Sequence, residues 1–292
     1  MRNYDVAIIG SGPGGLTAAL YLLRAGRSVV MFEKEGLGGQ LGRCPLIENY
    51  PGFTGAGGLL VNNIFDQLNI YDRFDFEPLE VVALSQGQDY WQLTDEYEEE
   101  YKVQYIIYAA GASPIGLNVP GANSSNIHYC ATCDGPLYKD KDVAVIGDGN
   151  SALQYALELS NYCHGVSLIT LFDSFFGEKE LINRVLDKDN IAVFHNFNTA
   201  KITSSTVESD RGLIVPAQGT FIAIGQKPNT GFAATEAHVS LDERNYIITD
   251  DTMRAQDRFY AVGDCRRKDV RQVITAMSDG CIAAVNINKL LG

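Results

Sequence analysis

One structural pattern occurs twice in this chain. Residues 6 to 34, VAIIGSGPGGLTAALYLLRAGRSVVMFEK, and residues 143 to 172, VAVIGDGNSALQYALELSNYCHGVSLITLF, each run strand, glycine turn, apolar-periodic helix, second strand. A short β-branched run followed by glycines and then a 3.6-residue apolar period is the pattern of a βαβ unit. Two such units in 292 residues predict an α/β protein of two Rossmann-like domains.

Between the copies, VVALSQGQDYWQLTDEYEEEYKVQYIIYAAGA predicts a β-meander with a charged hairpin tip and a buried last strand. Residues 191 to 219 suggest a second, shorter meander, followed by the strand GTFIAIG. From about Tyr246 the first pattern resumes, with the strand DRFYAVGDC and an apolar helix from Val273 to Leu291. The second domain is therefore expected to be inserted into the first. The boundaries place residues 1–113 and 242–292 in one domain and 114–241 in the other, each a three-layer ββα arrangement.

Charge narrows the partners. The 36 Asp and Glu outnumber the 23 Lys and Arg, a net charge of −13, and no basic patch interleaved with aromatics exists. This argues against nucleic acid and anionic membrane as partners. No apolar run approaches the roughly 18 residues of a membrane span. A strand begins as early as Tyr4, so no leader peptide is expected and the chain is assigned to the cytoplasm. In that reducing compartment the six cysteines are not expected to form structural disulfides.

In the first copy, Gly10-Ser11-Gly12-Pro13-Gly14-Gly15 follows a strand and opens a helix, and Glu33 ends the next strand. The glycines allow a tight turn and close approach of a pyrophosphate to the helix N-terminus, and the carboxylate suits ribose hydroxyls. The second copy keeps Gly147, Gly149 and Ala152. Glu33 lies 23 residues after Gly10, but 23 residues after Gly147 stands Thr170, within LITLFDSFFG. That stretch has no carboxylate at the selective position and no Lys or Arg. It reads as a retained scaffold, with an apolar run suited to packing.

Cys130-Ala131-Thr132-Cys133-Asp134-Gly135 carries the chemistry. In a C-x-x-C pair one thiolate attacks a substrate disulfide and the other resolves the mixed disulfide, while an adjacent Asp exchanges protons. A zinc site needs two more ligands, and neither a second C-x-x-C nor a histidine pair is present. His128 alone does not complete one, so no metal is predicted. His164, His195 and His238 show no spacing that links them to these motifs and are read as surface or turn residues.

These segments in this order closely resemble the low-molecular-weight thioredoxin reductases, end to end. The resemblance rests on GSGPGGLTAALYLLRAG, GGQLGRCPLIENYPG, YAAGA, CATCDGPLY, FIAIGQKPNT and YAVGDCRRKDVRQVITAMSDGCIAA. It implies FAD in the first domain, held by Gly10, Ser11, Gly12, Gly14, Gly15, Glu33, Gly39, Gln40, Leu41, Asn49, Val81, Ala110, Gly111, Gly263, Asp264, Arg271, Gln272 and Val273. It implies that Cys130 attacks thioredoxin, Cys133 lies against the flavin and Asp134 is the acid/base. A homodimer is implied too.

The departures point to a different electron donor. Ordinary members carry H-R-R-x-x-x-R after the second unit to grip the 2′-phosphate of NADPH. The aligned positions here are Thr170, Leu171, Phe172 and Phe176. Charge-assisted hydrogen bonds contribute roughly 1.5 to 3 kcal/mol each, so losing two or three forfeits about 10³-fold or more in affinity. The second domain is also shorter than usual, between Asn190 and Phe221. Both features are similar to the ferredoxin-dependent flavin thioredoxin reductases, which implies ferredoxin as donor and NADPH unbound; the alternatives are an NAD(P)H-dependent reductase, a diflavin reductase with a second flavin on the Gly147 loop, and a non-enzymatic flavoprotein redox sensor. Plant-type ferredoxins lie near about −400 mV and thioredoxin near about −270 mV, a drop of roughly 6 kcal/mol over two electrons. An acidic ferredoxin needs a basic landing site. Arg266-Arg267-Lys268-Asp269-Val270-Arg271, with four cations and one carboxylate (net +3), is the candidate patch.

Overall fold

The computed structural model describes residues 1–44 and 47–292. Pro45 and Leu46, within the GGQLGRCPLIENYPG stretch, lie outside the described residues. The chain divides into two units, Met1–Ser113 with Pro228–Gly292, and Pro114–Lys227.

The first passage through unit 1 gives β1 (Arg2–Ile9), α1 (Pro13–Arg24), β2 (Val29–Phe32), α2 (Gly39–Gly42), the hairpin β3 (Ile47–Tyr50) and β4 (Phe53–Gly55), and α3 (Gly57–Leu68). It continues with β5 (Phe74–Glu77), the meander β6 (Val81–Gln86), β7 (Trp91–Asp95) and β8 (Glu100–Tyr108), and then β9 (Ala112–Pro114).

Unit 2 contains β10 (Ile127–His128), the short helix α4 (Ala131–Asp134), a 3-10 turn (Gly135–Tyr138), β11 (Asp142–Ile146), α5 (Asn150–Ser160), β12 (Gly165–Ile169) and α6 (Lys179–Leu186). It ends with β13 (Ile191–Phe194), β14 (Thr199–Ile202), β15 (Thr206–Ser209), β16 (Ile214–Pro216), β17 (Gly219–Ile222) and β18 (Gln226–Pro228). Unit 1 then resumes with α7 (Gly231–Glu236), β19 (Arg254–Gln256), β20 (Phe259–Ala261), a 3-10 turn (Gly263–Cys265) and α8 (Val273–Leu291).

In unit 1 the sheet runs β19-β20-β8-β1-β2-β5, with β6 and β7 attached to the antiparallel side of β8. Alternation along the strands sorts side chains to two faces. Val6, Ile8, Val29 and Met31 pack against Leu16 and Leu22 of α1, Val61 and Leu68 of α3, and Ala283 and Ile287 of α8. Ala7, Val30 and Phe32 face the other way, onto Trp91, Leu93 and Tyr101 of the meander. The result is a helix layer, a parallel layer and an antiparallel layer, so strands β1 and β2 are buried on both faces and read as continuous apolar runs.

Unit 2 repeats the plan. Its five-stranded sheet, β10-β17-β11-β12-β13, is parallel throughout. Val143, Val145 and Leu168 pack on α5 and α6, while Ala144, Ile146 and Ile169 pack on the three-stranded sheet β14-β15-β16. The meander predicted over 191–219 is therefore smaller. Its first segment, β13, pairs with β12 from Val166↔Ile191 onward and completes the parallel sheet.

The return to unit 1 also differs from the predicted residue 242, coming at Pro228. Asn229 explains the shift. Its N–H donates to the Gly111 carbonyl (3.0 Å), its Nδ2 to the Ala110 carbonyl (2.9 Å), and its carbonyl accepts from the Tyr108 hydroxyl (2.8 Å). Ala233, Ala237 and Val239 then enter the unit 1 core. The periodic signal resumes only downstream of this clamp, so pattern alone placed the boundary late.

Candidate active site

The first glycine turn is shaped to receive a dinucleotide. A Cβ on Gly10, whose φ is +106°, would lie 2.5 Å from the Ala109 carbonyl oxygen, and one on Gly15 would lie 2.2 Å from the Gly10 oxygen. No other residue fits either place. Gly12, the N-cap of α1, caps the helix with no side chain, and its nearest neighbour is 4.0 Å from an added Cβ. Space and unclaimed helix N–H groups therefore coincide where an anion is favoured.

Glu33 closes this turn. Its Oε2 accepts from the Ser11 amide (3.0 Å) and hydroxyl (2.7 Å), and its Oε1 accepts from the Glu35 amide (2.9 Å). The Ser11 hydroxyl in turn accepts from the Gly38 amide (3.0 Å), which ties in the turn leading to Gly39, Gln40 and Leu41. Gln40 donates to the Ala112 carbonyl (2.6 Å), next to Ala110 and Gly111. Asn49 donates to Gln272 (3.1 Å), the residue capping α8 just before Val273.

Two further residues of the implied set carry unpaired buried atoms. Among the described residues the Arg271 Nε and one Asp264 oxygen, Oδ1, have no hydrogen-bond partner, although Lys268 lies 3.5 Å from that oxygen. The Arg271 guanidinium stacks on the Tyr246 ring, 3.9 Å from its centroid. Buried polar atoms without partners are costly, and a polar ligand relieves that cost. The residues present thus fit FAD. Val81 is the exception. Its side chain is packed in the meander core with Phe32 and Leu84.

The dithiol lies in unit 2, where Cys130 and Cys133 form a disulfide. Cys130 is the N-cap of α4, and its sulfur accepts from the Cys133 amide at 3.2 Å. That N–H favours negative charge on the Cys130 sulfur once the bridge opens. Cys133 is exposed and Cys130 half-buried, so accessibility by itself does not make Cys130 the attacking thiol. Tyrosines pin the segment, with Tyr155 donating to the Tyr129 carbonyl (2.7 Å) and Tyr162 to the Ala131 carbonyl (3.4 Å). Asp134 faces His128, whose Nδ1 lies 3.1 Å from its Oδ2. Neither the tyrosine anchors nor this contact is legible in linear spacing.

The second glycine turn is built like the first, since a Cβ on Gly147 would lie 2.3 Å from the Ala223 carbonyl oxygen. The loop after β12 departs from that likeness. Thr170 is fully buried, its hydroxyl bridging the Phe172 carbonyl and His195 Nδ1, each at 2.8 Å. Leu171, Phe172 and Phe176 are not packed inward as the apolar run suggests, being 51%, 49% and 68% exposed. The loop is held instead by its backbone and by carboxylates. Asp148 accepts from the Phe176 amide through its carbonyl (2.8 Å) and from the Phe172 amide through its side chain (3.3 Å). Asn150 exchanges two bonds with Glu178, accepting from its amide (2.7 Å) and donating to its carboxylate (3.0 Å). His195 thus belongs to this loop, through Thr170 and through edge contact with Phe175 at 5.1 Å.

The +3 cluster is not a free docking patch. Arg266 makes a bidentate pair with Asp279 (2.9 and 2.8 Å), and Lys268, 8% exposed, reaches Asp279 (3.1 Å) and Asp264 (3.5 Å). With Arg271 stacked on Tyr246, Arg267 alone among the four cations is exposed.

A family model described as pyridine nucleotide-disulphide oxidoreductase matches residues 4–280. The chain belongs to this family. Within it, the chain falls in the low-molecular-weight thioredoxin reductase group. It is 34% identical over 317 residues to the thioredoxin reductase of Chlamydia pneumoniae, covering 100% of both chains. It is 31% identical over 307 residues to the 34.2 kDa protein in rubredoxin operon of Clostridium pasteurianum, covering 100% of this chain and 98% of that one. The fold superposes on the Lactococcus lactis thioredoxin reductase (FR conformation) with a TM-score of 0.92 at 31% identity, covering 99% of each chain. For the T. acidophilum thioredoxin reductase the TM-score is 0.93 at 30% identity, covering 100% of this chain and 99% of that one. These likenesses make the chain a flavin-dependent disulfide oxidoreductase with Cys130–Cys133 as its redox disulfide. No helix among the described residues is long and apolar enough to cross a membrane.

Proposed function

We propose that the chain is a thioredoxin-disulfide reductase that takes its electrons from reduced ferredoxin and works as a homodimer in the cytoplasm. The FAD-holding set is Gly10, Ser11, Gly12, Gly14, Gly15, Glu33, Gly39, Gln40, Leu41, Asn49, Ala110, Gly111, Gly263, Asp264, Arg271, Gln272 and Val273. Val81 contributes through its backbone, its side chain being in the core. Held there, FAD would supply the conversion of single electrons into the pair that the Cys130–Cys133 disulfide needs.

The remaining chemistry belongs to the protein's side chains. The Cys130 thiolate attacks the thioredoxin disulfide, so one new S–S bond forms and one thioredoxin sulfur leaves with the electron pair. Asp134 gives that sulfur a proton. The Cys133 thiolate then attacks Cys130, which restores the Cys130–Cys133 bridge and releases the second thioredoxin sulfur. Two electrons pass from the dithiol to thioredoxin. A Cys133→Ser variant is expected to trap thioredoxin on Cys130. Trapping by Cys130→Ser instead would reverse the two roles.

One observation carries the donor assignment. The 171–178 loop is fastened across the second glycine turn by Asp148 and Glu178, two carboxylates where a nucleotide needs cations. The first cation after the strand is Lys179. Pyridine nucleotide as donor is the second reading. It is favoured by Gly149, which caps α5 with no side chain and has open space at its Cβ position. Anaerobic rapid mixing of FAD-loaded enzyme with reduced ferredoxin, NADPH or NADH separates the two. Ferredoxin is expected to bleach the flavin and support thioredoxin reduction, whereas bleaching by NADPH within milliseconds would remove the ferredoxin reading.

A further inference from the structure

Next to the dithiol sits a histidine that the sulfur transfers do not use. His128 lies at the end of β10 with its side chain only 10% exposed. Its ring packs against Phe221 of β17 and edge-on to Tyr138, both at 5.2 Å. Both ring nitrogens are engaged, Nδ1 with Asp134 Oδ2 at 3.1 Å and Nε2 with the Tyr138 hydroxyl at 2.7 Å.

The donor inventory orders this chain of groups. An ionised Asp134 only accepts, so Nδ1 carries the hydrogen. In the neutral ring Nε2 is then the acceptor, and the Tyr138 hydroxyl donates to it. Tyr138 is itself rigidly placed. It is buried, and its ring fills the space beside Gly219, where a Cβ would come within 2.5 Å of a ring carbon. Burial, followed by the nearby Asp134 charge, raises the phenol above its ordinary value, which keeps it a donor at neutral pH. Asp134 Oδ1 takes part in no protein hydrogen bond or ion pair among the described residues, and the side chain is 37% exposed.

We propose that His128 is the positioning residue of the acid/base Asp134. It holds the carboxylate by the close approach of Nδ1 to Oδ2, and Tyr138 fixes the ring through Nε2. The role rests on the reading of Asp134 as acid/base. When an external thiol opens the bridge, the Asp134 carboxylate takes its proton, the thiol sulfur bonds to one cysteine and the Cys130–Cys133 bond breaks. The electron pair stays on the departing cysteine sulfur, and Asp134 passes the proton on to it. Asp134 is left as a carboxylate facing the His128 N–H. A carboxylate free to rotate loses alignment with that sulfur, and loss of such an orienting contact costs roughly 10- to 100-fold in rate.

The test needs neither thioredoxin nor a physiological donor. Oxidised FAD-loaded enzyme is mixed anaerobically with dithiothreitol, and bridge opening is followed by quenching with iodoacetamide and mass measurement. His128→Ala is expected to open about 10- to 100-fold more slowly. His128→Asn, which keeps an amide donor for the carboxylate, is expected to recover most of the rate. The His128→Ala effect is expected to vanish in an Asp134→Asn background. Wild-type rates in His128→Ala, equal slowing in His128→Asn, or additive slowing in the double variant would each overturn the proposal. Opening of Asp134→Asn at the wild-type rate would instead remove the acid/base reading on which it rests.

Discussion

Phe176 donates its backbone N–H to the carbonyl of Asp148 at 2.8 Å. The bond joins the loop after β12 to the glycine turn before α5, and Glu178 and Asn150 close the same loop one turn of chain later. On the proposed donor reading, exclusion of NADPH has two parts, the missing cations and the fastened loop. Adding cations alone (Leu171→Arg with Phe172→Arg) is expected to restore little NADPH affinity. Adding Asn150→Ala and Glu178→Ala as well is expected to bring the gain to about 10³-fold. Titration calorimetry with NADPH checks both steps. Full recovery from the two arginines alone would show that the loop excludes nothing.

Asp279 is a buried carboxylate shared by three donors. It accepts from Arg266, from Lys268 and from the Gly263 amide at 3.0 Å. Asp279→Ala leaves the largely buried Arg266 without a carboxylate and Lys268 with Asp264 alone, a loss of about 3 to 5 kcal/mol. Asp279→Asn retains one acceptor and is expected to lose less. Because Gly263 is in the proposed flavin set, flavin content of purified Asp279→Ala is expected to fall too. Urea denaturation and the flavin absorbance ratio measure the two effects.

Four cysteines stand outside the disulfide, and burial separates them. The Cys163 thiol is pushed up to about 11, first by burial and then by Asp140 and Asp142. Burial likewise pushes Cys265 up to about 12. Cys44 and Cys281 are half-exposed. Native labelling with iodoacetamide at about pH 8 is expected to modify Cys44 and Cys281 at least about 100-fold faster than Cys163 and Cys265. Peptide mass mapping gives the order.

His164 hydrogen-bonds Asp142 at 2.7 Å across the starts of β11 and β12. That bond, then the Asp142 charge, raises the imidazole above its ordinary 6.5. A value raised by folding means the protonated ring stabilises the fold. The contribution is complete below 6.5 and lost as pH climbs through the raised value. His164→Gln is therefore expected to lower the melting midpoint slightly near about pH 5.5 and to leave it unchanged near about pH 8.5. Calorimetry at the two pH values measures the difference, and equal shifts at both would exclude the pair as its origin.

The local chemistry of this protein was legible in its residues. The first and second βαβ units, the meander of β6 to β8 and the helix Val273–Leu291 follow from period and punctuation, because each depends on neighbours within one or two turns of chain. The missing cations after the second unit were equally visible. The tertiary structure decided the contacts between residues far apart in sequence. Asn229 moves the boundary by bonding to Ala110 and Gly111, and Asp279 takes up two of the four cations of the predicted docking patch. His128 reaches Tyr138 and Asp134 only because β10 ends beside the turn that carries them. Even LITLFDSFFG, apolar as a string, exposes Leu171, Phe172 and Phe176 and is held by its backbone amides. Hydropathy measures the affinity of a side chain for water. Where that side chain ends up depends on which backbone groups must find partners, and here Asp148 supplied them.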